Sequence, residues 1–214
     1  DEIGSYDPAT GVLRRDLTGD QDFNDANEVT TFLVAPAATD QPIAGNFNGA
    51  IAGFEFGVYR PTTGEFFLDL NDDGALTALP AETFVYGPGG GRALVGDWNG
   101  DGLTDLGTYD AATATLRRDV AGPGGAGLPD RVFQATEAST FLTTPQASDR
   151  VLTANVVGGA EFEVAVYVQG PGDFFIDNNR DGDGLDAGEA ILRPTSDGLE
   201  FGVYRSSTGQ FFID

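Results

Sequence analysis

Five copies of one short pattern run along this chain and limit the folds that are open to it. Each copy has an acidic residue, a segment that ends near a tyrosine, a turn, and a second segment that ends at aspartate. The copies lie about fifty residues apart, except for a shorter last interval, and such periods are typical of solenoids and propellers. After the leading acid, the copies are Ile3–Asp16, Phe56–Asp69, Leu106–Asp119, Val164–Asp177 and Phe201–Asp214.

Each copy predicts a β-hairpin, because apolar residues alternate around the tyrosine and a turn rich in Pro, Thr or Gly precedes a β-prone pair such as Phe66-Phe67. No segment has helical periodicity. Two further strands are predicted between hairpins, for example Thr83–Tyr86 and Arg92–Gly96. The sequence therefore predicts an all-β fold, a β-propeller or propeller segment of about four to five four-stranded antiparallel blades.

The repeats divide the chain without any break that would separate two domains. We predict a single repeat domain over residues 1–214, with repeats at about 1–36, 37–89, 90–145, 146–195 and 196–214, the first and last incomplete. The last interval lacks roughly one strand and one loop near Ile191–Asp197, so either that blade is degenerate or residues are missing from the chain. We expect further repeats to flank the segment.

The charge of the chain narrows the classes of partner. Its formal net charge is -23, and it has no histidine, cysteine or methionine. Such a chain repels phosphate backbones and anionic lipid, so we expect neither nucleic-acid binding nor membrane insertion. Histidine-based triads, zinc sites and disulfides are excluded. Cations are the natural partner, although a solvated acidic surface would explain the same charge.

One loop has the residue order of an oxygen-ligand site. Oxygen-bearing side chains fall at alternate positions of the segment 97–105, where glycines allow a tight turn. Calcium takes six to eight oxygen ligands, which alternate residues of such a loop can supply. Acidic and amide residues are also ordinary turn formers. The predicted ligands are Asp97, Asn99, Asp101, the carbonyl of Leu103, and Asp105.

A second type of loop follows the hairpins. The segment 177–189 aligns without gaps on 16–28, and acids coincide at the first, fifth, seventh, tenth and last positions. Its opening has the ligand order of an EF-hand loop, without flanking helices. The predicted calcium ligands are Asp177, Asn179, Asp181, Asp183 and Glu189, and in the weaker copy Asp16, Asp20, Asp22 and Glu28.

Other polar segments are expected to be structural. Asp69–Gly74 begins like a ligand loop but continues with fewer carboxylates, and Asn46–Ala50 has no acid at its third position, so we expect plain turns. Two arginine pairs, Arg14-Arg15 and Arg117-Arg118, occur at the same position of the repeat, directly before its final aspartate. We expect these arginines to be solvated charges on edge strands.

The hairpins with their preceding loops resemble the FG-GAP and VCBS repeats of integrin-type β-propellers and large secreted bacterial proteins. The likeness covers nearly the whole chain and is most specific over Val95–Asp110, VGDWNGDGLTDLGTYD. It implies a bladed propeller with calcium bound in the loop Asp97–Asp105. The segments Asn46–Glu55 and Asn155–Glu163 lack the acidic series. The resemblance therefore does not imply metal binding in these two segments.

Four functions compete on these features. Paired carboxylates can hydrolyse glycosides, but here the acids lie in repeated loops with metal-ligand spacing, so we predict no enzyme. A lectin-like surface is the alternative, since Trp98 could stack on a sugar ring or pack between blades. An accessory role in a secreted polysaccharide-degrading enzyme is a further alternative. We predict an extracellular or cell-surface, calcium-binding structural or adhesion module, with a surface protein, a glycan or neighbouring copies as partners.

Overall fold

Short segments of alternating apolar residues between turns form the strands of this protein. The computed structural model describes residues 4–49, 53–76, 82–120, 138–155, 158–169, 172–186, 191–192, 202–205 and 210–213. Within these ranges every regular element is a strand, so the all-β prediction is confirmed. No helix in the described part of the chain is long and apolar enough to cross a membrane.

The described ranges contain seventeen strands, which are numbered in chain order. They are β1 Gly4–Asp7, β2 Val12–Arg15, β3 Val29–Thr31, β4 Gln41–Gly45, β5 Glu55–Arg60, β6 Glu65–Leu68, β7 Thr83–Val85, β8 Arg92–Gly96, β9 Asp105–Asp110, β10 Thr115–Arg118, β11 Ala138–Thr140, β12 Arg150–Ala154, β13 Glu163–Val168, β14 Asp173–Ile176, β15 Ile191–Leu192, β16 Gly202–Arg205 and β17 Gln210–Ile213.

The strands form antiparallel sheets in simple sequence order. Three sheets have four strands each, in the orders β4-β5-β6-β7, β8-β9-β10-β11 and β12-β13-β14-β15. A three-stranded sheet, β1-β2-β3, precedes them, and β16 pairs with β17. The five repeat hairpins are the pairs β1–β2, β5–β6, β9–β10, β13–β14 and β16–β17. The strands of each sheet fall within one of the repeats defined from the sequence.

One register recurs in all five hairpins. The repeat tyrosine of the first hairpin strand lies opposite an apolar residue of the second, as in Tyr59 opposite Phe66 and Tyr109 opposite Leu116. The Tyr59 and Phe66 ring centroids are 4.5 Å apart, and those of Tyr167 and Phe174 are 4.7 Å apart. Such cross-strand pairs stabilise a hairpin beyond its backbone bonds.

The hydrophobic core is divided into clusters that lie between consecutive sheets. One cluster contains Leu13 and Phe32 of the first sheet together with Val58 and Phe67 of the second. The next joins Tyr59 and Phe66 to Leu106, and the third joins Leu116 and Phe141 to Val164 and Val166. Each sheet therefore buries its apolar residues against its neighbours in the chain, as in repeat proteins.

Contacts between sheets also run along their first strands. Strand β4 contacts β8, and β8 contacts β12. Thr153 Oγ1 donates a hydrogen bond to the Val95 carbonyl at 2.9 Å, and Gln41 Nε2 donates to the Gly91 carbonyl at 3.2 Å. The first strand of each four-stranded sheet therefore lies beside the first strand of the next four-stranded sheet.

Candidate cation-binding loops

Four loops, each following a strand, share one backbone conformation. They begin at Asp16, Asp69, Asp97 and Asp177, and the fourth and sixth residues of each have positive φ. Left-handed residues at these two positions bend the chain around the side chain of the first aspartate. In loop order, the pairs are Gly19 (φ 79°) and Gln21 (φ 72°), Asp72 and Gly74, Gly100 and Gly102, and Arg180 and Gly182.

The first aspartate closes each of these loops. One of its carboxylate oxygens accepts a hydrogen bond from the backbone N–H of the sixth residue in all four copies. The four aspartates are at most 9 % exposed. The N···O distances are 2.9 Å for Gln21 to Asp16, 2.8 Å for Gly74 to Asp69, 2.8 Å for Gly102 to Asp97 and 3.0 Å for Gly182 to Asp177.

Alternate residues of the loops make a second series of hydrogen bonds. A side-chain oxygen accepts from the backbone N–H two residues further on, as between Asn99 and Asp101 at 2.9 Å and between Asp101 and Leu103 at 2.8 Å. The same bond links Asp181 to Asp183 at 3.1 Å. These bonds hold the side chains of alternate positions against the loop backbone, in the way typical of Asx turns.

Three carboxylates converge in the loop Asp177–Asp186, called here the Asp177 loop. One carboxylate oxygen from each of Asp181, Asp183 and Asp186 lies within 4.8 Å of the others. Asn179 Nδ2 donates to Asp181 at 3.1 Å and to Asp186 at 3.3 Å. Like charges this close repel one another, and a cation between them removes the repulsion. Carboxylate oxygens of this kind suit calcium.

The Asp177 loop contains four of the five predicted ligands of its segment. Asp181 and Asp183 belong to the acidic group, and Asn179 is hydrogen-bonded to it. Asp177 lies outside that group, 3.1 Å from Arg118. Glu189 falls outside the described residues. Asp186 was not among the predicted ligands. The alignment of the two loops pairs it with Asp25, and this shared acid was the sequence feature that could have identified it.

The loop Asp97–Asp105, called the Asp97 loop, is closed mainly by its own hydrogen bonds. Asp97 accepts from the N–H groups of Gly100 at 2.6 Å and Gly102 at 2.8 Å. Asp105 is buried and accepts from the Trp98 N–H at 2.9 Å. Asp101 is exposed, and Leu103 is partly buried. The predicted ligands therefore lie along one short loop around Asp97.

The charged form of Asp105 is disfavoured by its place in the Asp97 loop. Burial, together with the charges of Asp119, Asp101 and Asp97, raises the pKa of Asp105 to about 8. The hydrogen bond from the Trp98 N–H acts in the opposite direction. A cation bound beside these carboxylates would favour the charged form of Asp105.

In the loop Asp16–Glu28, called the Asp16 loop, two of the four predicted ligands are engaged by backbone groups. Asp16 accepts from the N–H groups of Gly19 and Gln21, and Glu28 accepts from those of Leu17 at 2.9 Å and Asp25 at 3.0 Å. Both acids are 1 % exposed. Asp20 and Asp22 are exposed. Asp16 and Glu28 therefore stabilise the loop itself.

Asp69–Gly74, expected to be a plain turn, has the same backbone as the ligand loops and joins two repeats. The Asp72 carboxylate pairs with Arg15 of the preceding repeat, and Asp69 lies 3.8 Å from the same guanidinium. Thr30 Oγ1 donates to the Gly74 carbonyl at 2.7 Å. Burial raises the pKa of Asp69 to about 6, against the hydrogen bond from Gly74 and the charge of Arg15.

The expectation of solvated arginines is wrong for the second arginine of each pair. Arg15 is 9 % exposed and Arg118 is 8 % exposed. Each reaches the loop of the following repeat, Arg15 at Asp69 and Asp72, and Arg118 at Asp177. The expected edge strands are also wrong, because β2 lies between β1 and β3, and β10 lies between β9 and β11. The two side chains extend from these inner strands to the neighbouring sheet, where a buried carboxylate needs a cation.

Trp98 packs inside the protein. It is 5 % exposed, belongs to the cluster between the third and fourth sheets, and its Nε1 donates to the Leu106 carbonyl at 3.3 Å. Its ring therefore does not offer a face to a sugar in solvent.

Comparison with protein-family models, with curated proteins and with solved structures gives no match for this chain.

Proposed function

We propose that this protein is a non-catalytic, calcium-binding repeat module. The observation that carries the proposal is the group Asp181, Asp183 and Asp186, whose oxygens lie within 4.8 Å of one another. Its donors are all hard oxygens, and the chain has no histidine or cysteine that would favour zinc. We assign the predicted ligands of the Asp97 and Asp16 loops, which share this backbone, to weaker sites.

The arrangement of the sheets supports a β-propeller as the finer form of the fold. Three consecutive four-stranded meanders follow one another in sequence order, and their first strands contact one another. First strands that meet around a common axis, with apolar clusters between sheets, are features of propeller blades. The proposed family is that of the FG-GAP and VCBS repeats, on the sequence motifs given above.

A location outside the cell fits the proposed site. Two of the three acids, Asp181 and Asp186, are exposed, and loops of this type in extracellular modules bind calcium with Kd of about 10⁻⁴–10⁻³ M. We propose a structural or adhesive role in which calcium holds the Asp177 loop, and with it the contact of that loop with Arg118, in place. Trp98 gives the carbohydrate-binding alternative no support, because it is buried.

Calorimetric titration with calcium chloride tests the site. The parent protein should bind calcium, and magnesium more weakly, because magnesium requires a smaller octahedral shell. Asp183→Asn removes one charge from the acidic group and should weaken calcium binding at this site about tenfold or more. Asp110→Asn is the matched control, since Asp110 lies at a hairpin turn, far along the chain from the acidic group, where its side chain accepts the Ala112 N–H.

Two results of this titration would contradict the proposal. One is the absence of any calcium-dependent heat in the parent at millimolar calcium. The other is an Asp183→Asn variant whose stoichiometry and affinity equal those of the parent and of Asp110→Asn, which would show that the acids of the Asp177 loop form only a turn.

A further inference from the structure

Two buried aspartates occupy the same place in the second and fourth sheets, each directly before the first strand. Asp40 precedes β4 and is 5 % exposed, and Asp149 precedes β12 and is 0 % exposed. One carboxylate oxygen of Asp40 accepts from the Ala37 N–H at 2.8 Å, and one of Asp149 accepts from the Gln146 N–H at 2.9 Å. The two places therefore share a turn and an acid.

The cation beside Asp40 is an arginine of the adjacent strand. Arg60 Nε and Nη2 donate to the two carboxylate oxygens of Asp40 at 2.9 and 2.8 Å, and Nη2 also donates to the Ala35 carbonyl at 2.9 Å. In the fourth sheet Val168 occupies the position of Arg60, because both residues directly follow the repeat tyrosine. The arginine is thus replaced by an apolar residue, while the buried acid remains.

This replacement leaves one oxygen of Asp149 without a partner. Its Oδ1 is buried and forms no hydrogen bond in the part of the chain that the structure describes. The neighbouring Arg150 turns its Nη1 to the backbone carbonyls of Ser148 and Asp149, at 2.8 and 3.2 Å. A carboxylate that is charged and completely buried without a cation is strongly disfavoured. The fourth sheet therefore has a place for one positive charge.

A tyrosine of the preceding repeat lies against the turn before each first strand. At the third sheet, Tyr59 Oη donates to the Gly90 carbonyl of this turn at 2.7 Å. The corresponding tyrosine at the fourth sheet is Tyr109, whose pKa is raised by burial and then by the charges of Asp149 and Asp110. Tyr109 is 0 % exposed, and its Oη has no hydrogen-bond partner within the described ranges. Two buried oxygens of neighbouring repeats thus have free lone pairs at one interface.

We propose that a small monovalent cation, sodium, binds Asp149 Oδ1 and Tyr109 Oη in the place that the guanidinium of Arg60 takes in the second sheet. The carbonyl of Thr144 is a third donor. Thr144 corresponds in the repeat to Ala35, whose carbonyl accepts from Arg60.

Charge and burial limit the ligand to this class. One carboxylate and one monovalent cation are neutral together, as Asp40 and Arg60 are, whereas a divalent ion would leave a buried positive charge. Tyr109 and Val168 belong to one apolar cluster, where the attraction between opposite charges is strong. Asp149 and Tyr109 are completely buried, so the ion binds without its water shell and must be small. The site is separate from the calcium-binding loops.

Thermal unfolding in chelator tests the proposal, with sodium chloride compared against choline chloride at equal ionic strength. Choline is too large for the place, and equal ionic strength keeps the screening of the other charges the same. The parent should unfold at a higher temperature in sodium. With sodium at about ten times its Kd, the rise in Tm should be about 3–6 °C. The chelator removes calcium, so the outcome does not depend on the proposed calcium site.

Three variants separate this site from the other acids. Asp149→Asn keeps the shape of the side chain and removes its charge, so the difference between sodium and choline should disappear. Val168→Arg supplies the cation from the chain, as Arg60 does, and should also remove the difference. Asp7→Asn is the matched control, since the Asp7 side chain accepts the Ala9 N–H at a hairpin turn of the first repeat. It should respond to sodium as the parent does.

Tyr109→Phe is a further check that leaves the carboxylate in place. It removes one donor and should reduce the sodium response. An equal Tm of the parent in sodium and in choline would overturn the proposal, and would show that Asp149 is buried as the neutral acid. A response in Asp149→Asn or in Tyr109→Phe as large as that of the parent would also overturn it, because the ion would then bind elsewhere.

Discussion

Individual carboxylates in this protein are buried where a cation or several N–H groups can meet them. Asp16 and Glu28 are satisfied by backbone amides, and Asp177 combines one amide with Arg118. Burial raises the pKa of Asp177, and the charge of Arg118 opposes that rise. Asp149 is also buried, and one of its oxygens has no hydrogen-bond partner within the described structure. Buried acids are thus stabilised either by backbone amides of their own loop or by an arginine of the neighbouring repeat.

Gln21 has a left-handed backbone at a loop position where the other three loops have glycine. It has φ of 72° at the sixth loop position, where the corresponding residues Gly74, Gly102 and Gly182 are glycines. Gln21→Gly should raise the free energy of unfolding by about 0.5–1 kcal/mol, because the left-handed strain exceeds the entropy that glycine adds to the unfolded chain. Denaturant unfolding measures the change. Gln21→Ala is the control and should bring no gain, and a loss in the glycine variant would contradict the account.

At the scale of elements, a loop of one repeat docks on the preceding repeat in the same way at two interfaces. Arg15 and Thr30 contact the loop at Asp69 and Gly74, while Arg118 and Ser139 contact the loop at Asp177 and Gly182. In the second repeat, Leu68 occupies the repeat position that is arginine in the first and third repeats (Arg15 and Arg118). The arginine contacts therefore join the first repeat to the second and the third to the fourth.

Arg118 should contribute far more to stability than its neighbour Arg117. Arg118→Met leaves Asp177 buried without its cation, and breaking such a pair costs about 3–5 kcal/mol. Arg117→Met changes a partly exposed arginine that forms no ion pair in the described structure, and should cost less than about 1 kcal/mol. Chemical denaturation of both variants provides the comparison. Equal losses would show that the ion pair with Asp177 has no special role.

The strands were predictable and the contacts between repeats were not. Alternation and turn residues are local, so pairs such as β5–β6 and β9–β10 could be read from the sequence. Burial of Arg118 depends on Asp177, about sixty residues away, and no local pattern encodes it. For the same reason the sequence could not show that the fold of the loop brings Asp186 beside Asp181.

At the scale of the whole molecule, a chain with net charge -23 folds as sheets that pack in sequence order. Its apolar clusters lie between neighbouring sheets, while many of its acids lie in the loops that connect strands. Self-repulsion of these acids opposes the folded state, and bound cations would reduce it. The account therefore makes calcium part of the stability of the fold.

Thermal unfolding with and without calcium is the most direct test of this claim. With calcium at about one hundred times its Kd, binding to the folded state alone should add about 2.7 kcal/mol, which corresponds to a rise in Tm of about 5–10 °C for a chain of this size. Excess chelator should reverse the rise, and magnesium at equal concentration should give a smaller one. A Tm that is the same in calcium and in chelator would contradict the account.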